Sequence, residues 1–176
     1  VGVGDEVIIP DRTFIATAHA VKLTGAKVIT VDCNELDTNI NISKIEEKIT
    51  PNTKVIIPVH LNGRCVDMKA INNIASKYKL KIIEDTCQSL FSKNTNDKFV
   101  GTLSDLGCFS LGLAKLLTVG FGGFIVTHDK KLYDNLVKFR NHGRLNHEHI
   151  NYDVLGFNFK VSDVTMSIGI AQLSKR

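Results

Sequence analysis

Short runs rich in β-branched residues alternate with amphipathic stretches along almost the whole chain, and this alternation leaves few folds open. Each apolar run has the length of a strand, and the stretches between them repeat their apolar residues at helical spacing. That is the pattern of βαβ units, whose parallel strands are covered on both faces. The pattern predicts strands at residues 6–10, 27–32, 54–60, 81–85, 106–111 and 123–127. It predicts helices at 13–23, 43–49, 67–78 and 130–139, with a last one from about 162. Ser43 followed three residues later by Glu46 reads as a capping box, and Gly25 as the stop of the first helix. The expected fold is α/β, a three-layer αβα domain on a mostly parallel sheet. A polar turn, "NTNDK" at 94–98, and a polar loop, "LNHEHINYD" at 145–153, interrupt the pattern, and everything before that loop reads as one domain.

At 176 residues, 43% hydrophobic and 23% charged, the chain can bury one core, which excludes disordered and collagen-like classes. No apolar run approaches the ~20 residues of a membrane span, and the opening "VGVGDEV" lacks the features of a secretory signal. A cytoplasmic protein is expected. Cys33, Cys65, Cys87 and Cys108 lie far apart with no CxxC, so they read as reduced small hydrophobes rather than metal ligands. The net charge of +4 comes from dispersed lysines, consistent with an anionic substrate and without the basic stripe of a nucleic-acid binder. The chain begins without Met and ends inside an expected helix, so a fragment of a longer protein is expected.

In an open parallel sheet ligands collect at the carboxyl ends of strands. The run "KIIEDTCQS" ends with Asp85, with Gln88 three residues on, and "GCFSL" places Ser110 five residues before Lys115. Lys115 lies between an apolar run and the glycines of "GFGG" at 120–123, in what reads as the middle of a buried sheet. An ammonium buried there needs a partner, because desolvation disfavours its charge. The glycines permit positive φ or close backbone approach, while P-loop and GxGxxG patterns are absent. A carboxylate at one strand end, a hydroxyl at the next and a lysine shortly after it are what pyridoxal phosphate requires. Its ring nitrogen needs a carboxylate, its phosphate needs donors, and its aldehyde needs an amine.

The same residues carry a resemblance to a family. "GDEVIIPDRTFIATAHAV", "GAKVITVD", "ITPNTKVIIPVHLNG", "IEDTCQS", "VGTLSDLGCFS", "GGFIVT", "RNHGR" and "GFNFKVSD" occur in order across the chain. In this the sequence resembles the DegT/DnrJ/StrS family of nucleotide-sugar aminotransferases, pyridoxal phosphate enzymes with the aspartate aminotransferase fold, fold type I. The resemblance implies that Lys115 is the Schiff-base lysine and Asp85 the partner of the pyridinium nitrogen. It implies that Gln88 lies near the cofactor's 3-hydroxyl, that Ser110 donates to the phosphate and that Phe14 stacks on the ring. Asn158 would reach the phosphate of a cofactor in the neighbouring subunit, so the active site would be shared across a homodimer. Residues 1–150 would be the central part of the cofactor-binding large domain. Residues 151–176 would lead toward a C-terminal small domain outside this sequence, as would an N-terminal segment with a phosphate-binding turn, so the fragment alone is expected to be inactive.

The implied reaction moves an amino group, with glutamate as donor, to a keto group of a nucleotide-linked hexose, for polysaccharide or secondary-metabolite sugars. Leu116 and Phe121 stand where the family usually has Asn and an acidic residue, which bears on substrate preference. Lys115 argues against the dehydrating branch, which has His there. Other pyridoxal phosphate chemistry on the same scaffold, or a non-catalytic sensing or assembly role, remain as alternatives. His60 reads either as a site residue or as a strand-end histidine satisfied by backbone. His147 and His149 form an HxH without a third ligand nearby, so no metal site is expected. Arg140, His142 and Arg144 end a helix whose dipole they complement, with a substrate-phosphate contact as the second reading. Met68 and Met166 read as core fillers.

Overall fold

The structure is a computed structural model that describes every residue except His147, His149, Ile150 and Arg176. Six strands, β1 (Glu6–Pro10), β2 (Lys27–Val31), β3 (Thr53–Ile56), β4 (Lys81–Asp85), β5 (Leu106–Ser110) and β6 (Gly123–Val126), form one sheet in the order β2-β1-β3-β4-β5-β6. The first five run parallel and β6 pairs antiparallel with β5. Four helices accompany them: α1 (Ile15–Leu23), α2 (Met68–Tyr78), α3 (Lys130–Arg140) and α4 (Asp163–Leu173).

The strand β1 is buried along its whole length, which its unbroken "EVIIP" run requires of a central parallel strand. Alternation sends its side chains to two different cores. Ile8 joins Ile56, Ile82 and the α2 face of Met68, Ile71 and Ile74 on one side, whereas Val7 and Ile9 meet Val21 of α1 on the other. The sheet is thus the middle of three layers. Its order turns outward in both directions from β1, with β2 on one side and β3 on the other, and such a switch point opens a crevice at the strands' carboxyl ends.

Caps fix the helix positions. Asp67 accepts from the N–H groups of Lys69 and Ala70 at the start of α2, and Asp129 and Ser162 do the same for α3 and α4. Gly25, at φ +83°, follows the end of α1 and stops it as expected. The helix expected at 43–49 is instead two 3-10 turns, Ile42–Lys44 and Glu46–Lys48. Asn41 caps the first by accepting from Ser43 N–H, and Glu46 pairs with Lys77, so the capping box does not form. So short a segment cannot sustain an α-helix by itself, and burial of Ile45 in the core sets its path. The predicted strand at 54–60 ends at Ile56, because Pro58 has no N–H to continue the ladder. The path resumes at Val59, which bridges Asp85.

The segment after β4 packs against β5 at backbone contact. A Cβ at Gly107 would lie 1.9 Å from the Gly101 carbonyl oxygen, and one at Gly101 would lie 2.3 Å from the Phe109 ring. Neither position admits a side chain. Among the described residues, no helix is long and apolar enough to cross a membrane.

Candidate active site at the carboxyl edge of the sheet

The carboxyl end of β4 presents Asp85, half-buried and held from two directions. Its Oδ2 accepts from the Thr17 hydroxyl of α1 at 2.8 Å, and its Oδ1 from Cys87 N–H at 3.1 Å. Its main chain is tied to the neighbouring strand path, with Asp85 N–H donating to the Pro58 carbonyl at 2.9 Å and the Asp85 carbonyl accepting from His60 N–H at 3.0 Å. Each carboxylate oxygen retains a lone pair for a further donor. The next strand end presents Ser110, whose Oγ accepts from Gly112 N–H at 3.2 Å and keeps its own proton for another acceptor.

Lys115 does not sit in the sheet. The strand β5 stops at Ser110, and residues 111–122 form a looped connection to β6 in which Lys115 N–H donates to the Gly112 carbonyl at 3.1 Å. Its side chain is half-buried, so the desolvation expected of a mid-sheet lysine is relieved by partial exposure. Among the described residues no carboxylate pairs with its ammonium. Gly120 at φ +89° and Gly122 at φ +150° shape the return of this loop, which gives the glycine cluster its function in turns.

Cys87 links the two charged groups. Burial pushes its thiol up to about 12, the Asp85 carboxylate adds to the rise, and the Lys115 ammonium opposes it. Asp85 closes β4 and Lys115 lies in the loop after β5, and the charges of both bear on the Cys87 thiol. Cys108 is raised to about 11 by burial and then by Asp85. All four cysteines are free and half-buried, as read from the sequence, and a thiol held this high is no nucleophile at neutral pH.

Phe14 is the residue before α1, and its ring is 69% exposed beside the same edge of the sheet. Gln88 is anchored through Oε1, which accepts from Asn62 N–H at 3.2 Å, leaving its amide protons available. Asn158 is not brought into this group. It is exposed and its main chain pairs with Asn141, between Phe157 N–H on the Phe139 carbonyl at 2.7 Å and Phe159 N–H on the Arg140 carbonyl at 3.0 Å. Arg140 and His142 are exposed at the end of α3, and Arg144 lies over the Tyr152 ring. His147 and His149 lie outside the described residues.

His60 meets its second reading in part, with one ring nitrogen satisfied by backbone and the other by a buried carboxylate. It is fully buried; Val66 N–H donates to its Nδ1 at 3.1 Å, so its proton is on Nε2, which donates to Glu84 Oε2 at 3.0 Å. Glu84 collects three more donors: Gly101 N–H, Leu103 N–H and the Ser104 hydroxyl. Burial would raise the Glu84 pKa, but the bonds from His60 and the two backbone N–H groups outweigh it and hold the carboxyl below its ordinary range. Glu84 and Thr17 are supporting residues that sequence reading missed. Glu84 left one signal, a charge in the middle of the apolar run "KIIED".

A groove of about 560 Å³ lies elsewhere, lined by residues including Ser76, Lys79, Lys81, Asp105, His128 and Asp129. It opens at the amino ends of β4 and β5 and contains none of the candidate site residues.

The sequence pattern of the DegT/DnrJ/EryC1/StrS aminotransferase family matches residues 1–176, the whole chain. The chain belongs to this family. A GDP-perosamine synthase of Escherichia coli O157:H7 is 41% identical over 172 residues, covering 98% of this chain and 47% of that protein. A UDP-N-acetyl-3-dehydro-alpha-D-glucosamine 3-aminotransferase of Acidithiobacillus ferrooxidans is 44% identical over 165 residues, covering 93% and 44%. Among solved structures, NtdA from Bacillus subtilis with bound cofactor PMP superposes at a TM-score of 0.91 and 38% identity, covering 98% of this chain and 39% of that one. The fold is that of these aminotransferases, and this family member spans about half the length of the curated relatives it matches.

Proposed function

We propose that the full-length protein is a cytoplasmic, pyridoxal phosphate-dependent aminotransferase that moves an amino group from glutamate onto a keto group of a nucleotide-linked hexose. The observation that carries the reading is the placement of Asp85 and Ser110 at the carboxyl ends of adjacent parallel strands, with Lys115 in the loop that leaves Ser110. The names of the relatives, a GDP-perosamine synthase and a UDP-sugar 3-aminotransferase, support the substrate class. The PMP in the NtdA structure supports the cofactor.

The donor set fits that cofactor. Asp85 offers lone pairs to a ring N–H, Ser110 a hydroxyl proton to a phosphate oxygen, Gln88 its amide protons to the 3-hydroxyl, and Phe14 an open ring face. When bound, the cofactor supplies a carbonyl carbon for an amine and a ring that delocalises charge. The protein's part is binding, orientation and proton movement. With the cofactor bound, Asp85 would hold a proton at the ring nitrogen, and Lys115 Nζ, without a carboxylate partner among the described residues and carried on a loop, would take up and return a proton at the reacting carbon. Residues 1–150 form the central part of the cofactor-binding domain and 151–176 the connection to a small domain. Asn158, exposed and apart from the other residues, suits a role at a cofactor held by a second subunit of a homodimer.

The test is an absorption spectrum of the full-length protein with pyridoxal phosphate, before and after glutamate, beside Lys115→Ala. The expected result is a visible band that glutamate converts and that the variant lacks. A wild-type protein with no such band overturns the assignment of Lys115.

A further inference from the structure

From the hydroxyl chain that ends on Asp85, we infer that Thr13 and Thr17 are positioning residues for the cofactor's ring nitrogen; the inference rests on the function proposed above. Thr17 is buried, and its hydroxyl donates to Asp85 Oδ2 at 2.8 Å. A second hydroxyl, that of Thr13, lies 2.8 Å from Thr17 Oγ1. The proton direction follows from counting. A threonine hydroxyl has one proton, and Thr17 spends it on a carboxylate that only accepts. The Thr13–Thr17 bond must therefore be donated by Thr13, so both protons point toward Asp85.

This chain fixes the plane of the Asp85 carboxylate, since Oδ2 is held by Thr17 and Oδ1 by Cys87 N–H. The lone pair that remains on each oxygen is then presented in a set direction. Thr13 and Thr17 flank the start of α1, Thr13 just before the extended Phe14 and Thr17 in the first turn of the helix. One segment thus positions both the ring face and the carboxylate, and a displacement of α1 moves the two together.

The experiment uses full-length protein with Thr17→Val, Thr17→Ser and Thr13→Val. It measures the dissociation constant for pyridoxal phosphate and the pH at which the ring nitrogen of ¹⁵N-labelled cofactor loses its proton. A hydrogen bond to a charged group is worth enough that Thr17→Val is expected to weaken binding about tenfold and move the ring-nitrogen transition to lower pH. Thr17→Ser, which keeps the hydroxyl, is expected to restore both, and Thr13→Val to shift both in the same direction by less. Thr17→Val with wild-type values overturns the inference. So does Thr17→Ser failing as badly as Thr17→Val, since restoring the hydroxyl would then restore nothing. If wild-type protein binds no pyridoxal phosphate, the function proposed above fails and this inference with it.

Discussion

His60 Nε2 donates to Glu84 Oε2 at 3.0 Å, with both side chains wholly removed from solvent. The pair joins the end of the β3 path to β4, and through Gly101 and Leu103 N–H it fixes the segment beneath β5. Removing the carboxylate takes the acceptor from four donors, His60 Nε2, Gly101 N–H, Leu103 N–H and the Ser104 hydroxyl. Glu84→Ala is expected to destabilise the full-length protein by about 3 kcal/mol, read from the denaturant midpoint.

The same carboxylate predicts a pH dependence. Its folded-state pKa is lowered, so its contribution to stability is present above the ordinary glutamate value near 4.5 and is lost as pH falls through the lower folded-state value. Thermal unfolding from pH 7 to pH 3 should therefore show a steeper acid loss in wild type than in Glu84→Gln.

Cys87 reports on the site without any cofactor. Asp85 raises its pKa and Lys115 lowers it. In apo protein with Cys33, Cys65 and Cys108 replaced by Ala, disulfide-reagent labelling of Cys87 at pH 8 should be faster in Asp85→Asn, where more thiolate is present, and slower in Lys115→Ala. Equal rates in all three proteins would separate these residues in space.

Gly107→Ala is the expected unfolding substitution. Its methyl would meet the Gly101 carbonyl at 1.9 Å, and backbone cannot yield as a side-chain end can. Overpacking of this kind costs about 3 kcal/mol or more, visible as lost soluble yield or a large fall in Tm.

Asp67→Ala gives the calibrating small effect. It removes the acceptor for Lys69 and Ala70 N–H at the start of α2, a loss of about 1 kcal/mol by urea denaturation.

Much of the fold could be read from the residues. The predicted spans 6–10 and 81–85 match β1 and β4, because both are apolar runs ended by residues that break them. What could not be read depended on tertiary partners. "LGLAKLL" has the composition of a buried strand, yet Leu113 and Leu116 are 73% and 68% exposed and the segment is a loop. The misplaced burial of Lys115 followed from that run. Thr17 looked like any helical hydroxyl, since its partner Asp85 is 68 residues away. That Asp85 and Ser110 close neighbouring strands was legible because parallel strands end on one edge of the sheet.

The contact between Gly101 and Gly107 divides the molecule's freedom to vary. Neither position can take a side chain, whereas Leu116 and Phe121, in the loop that carries Lys115, are 68% and 83% exposed. Mutations that reach descendants are thereby channelled into the loop, while the scaffold is inherited unchanged.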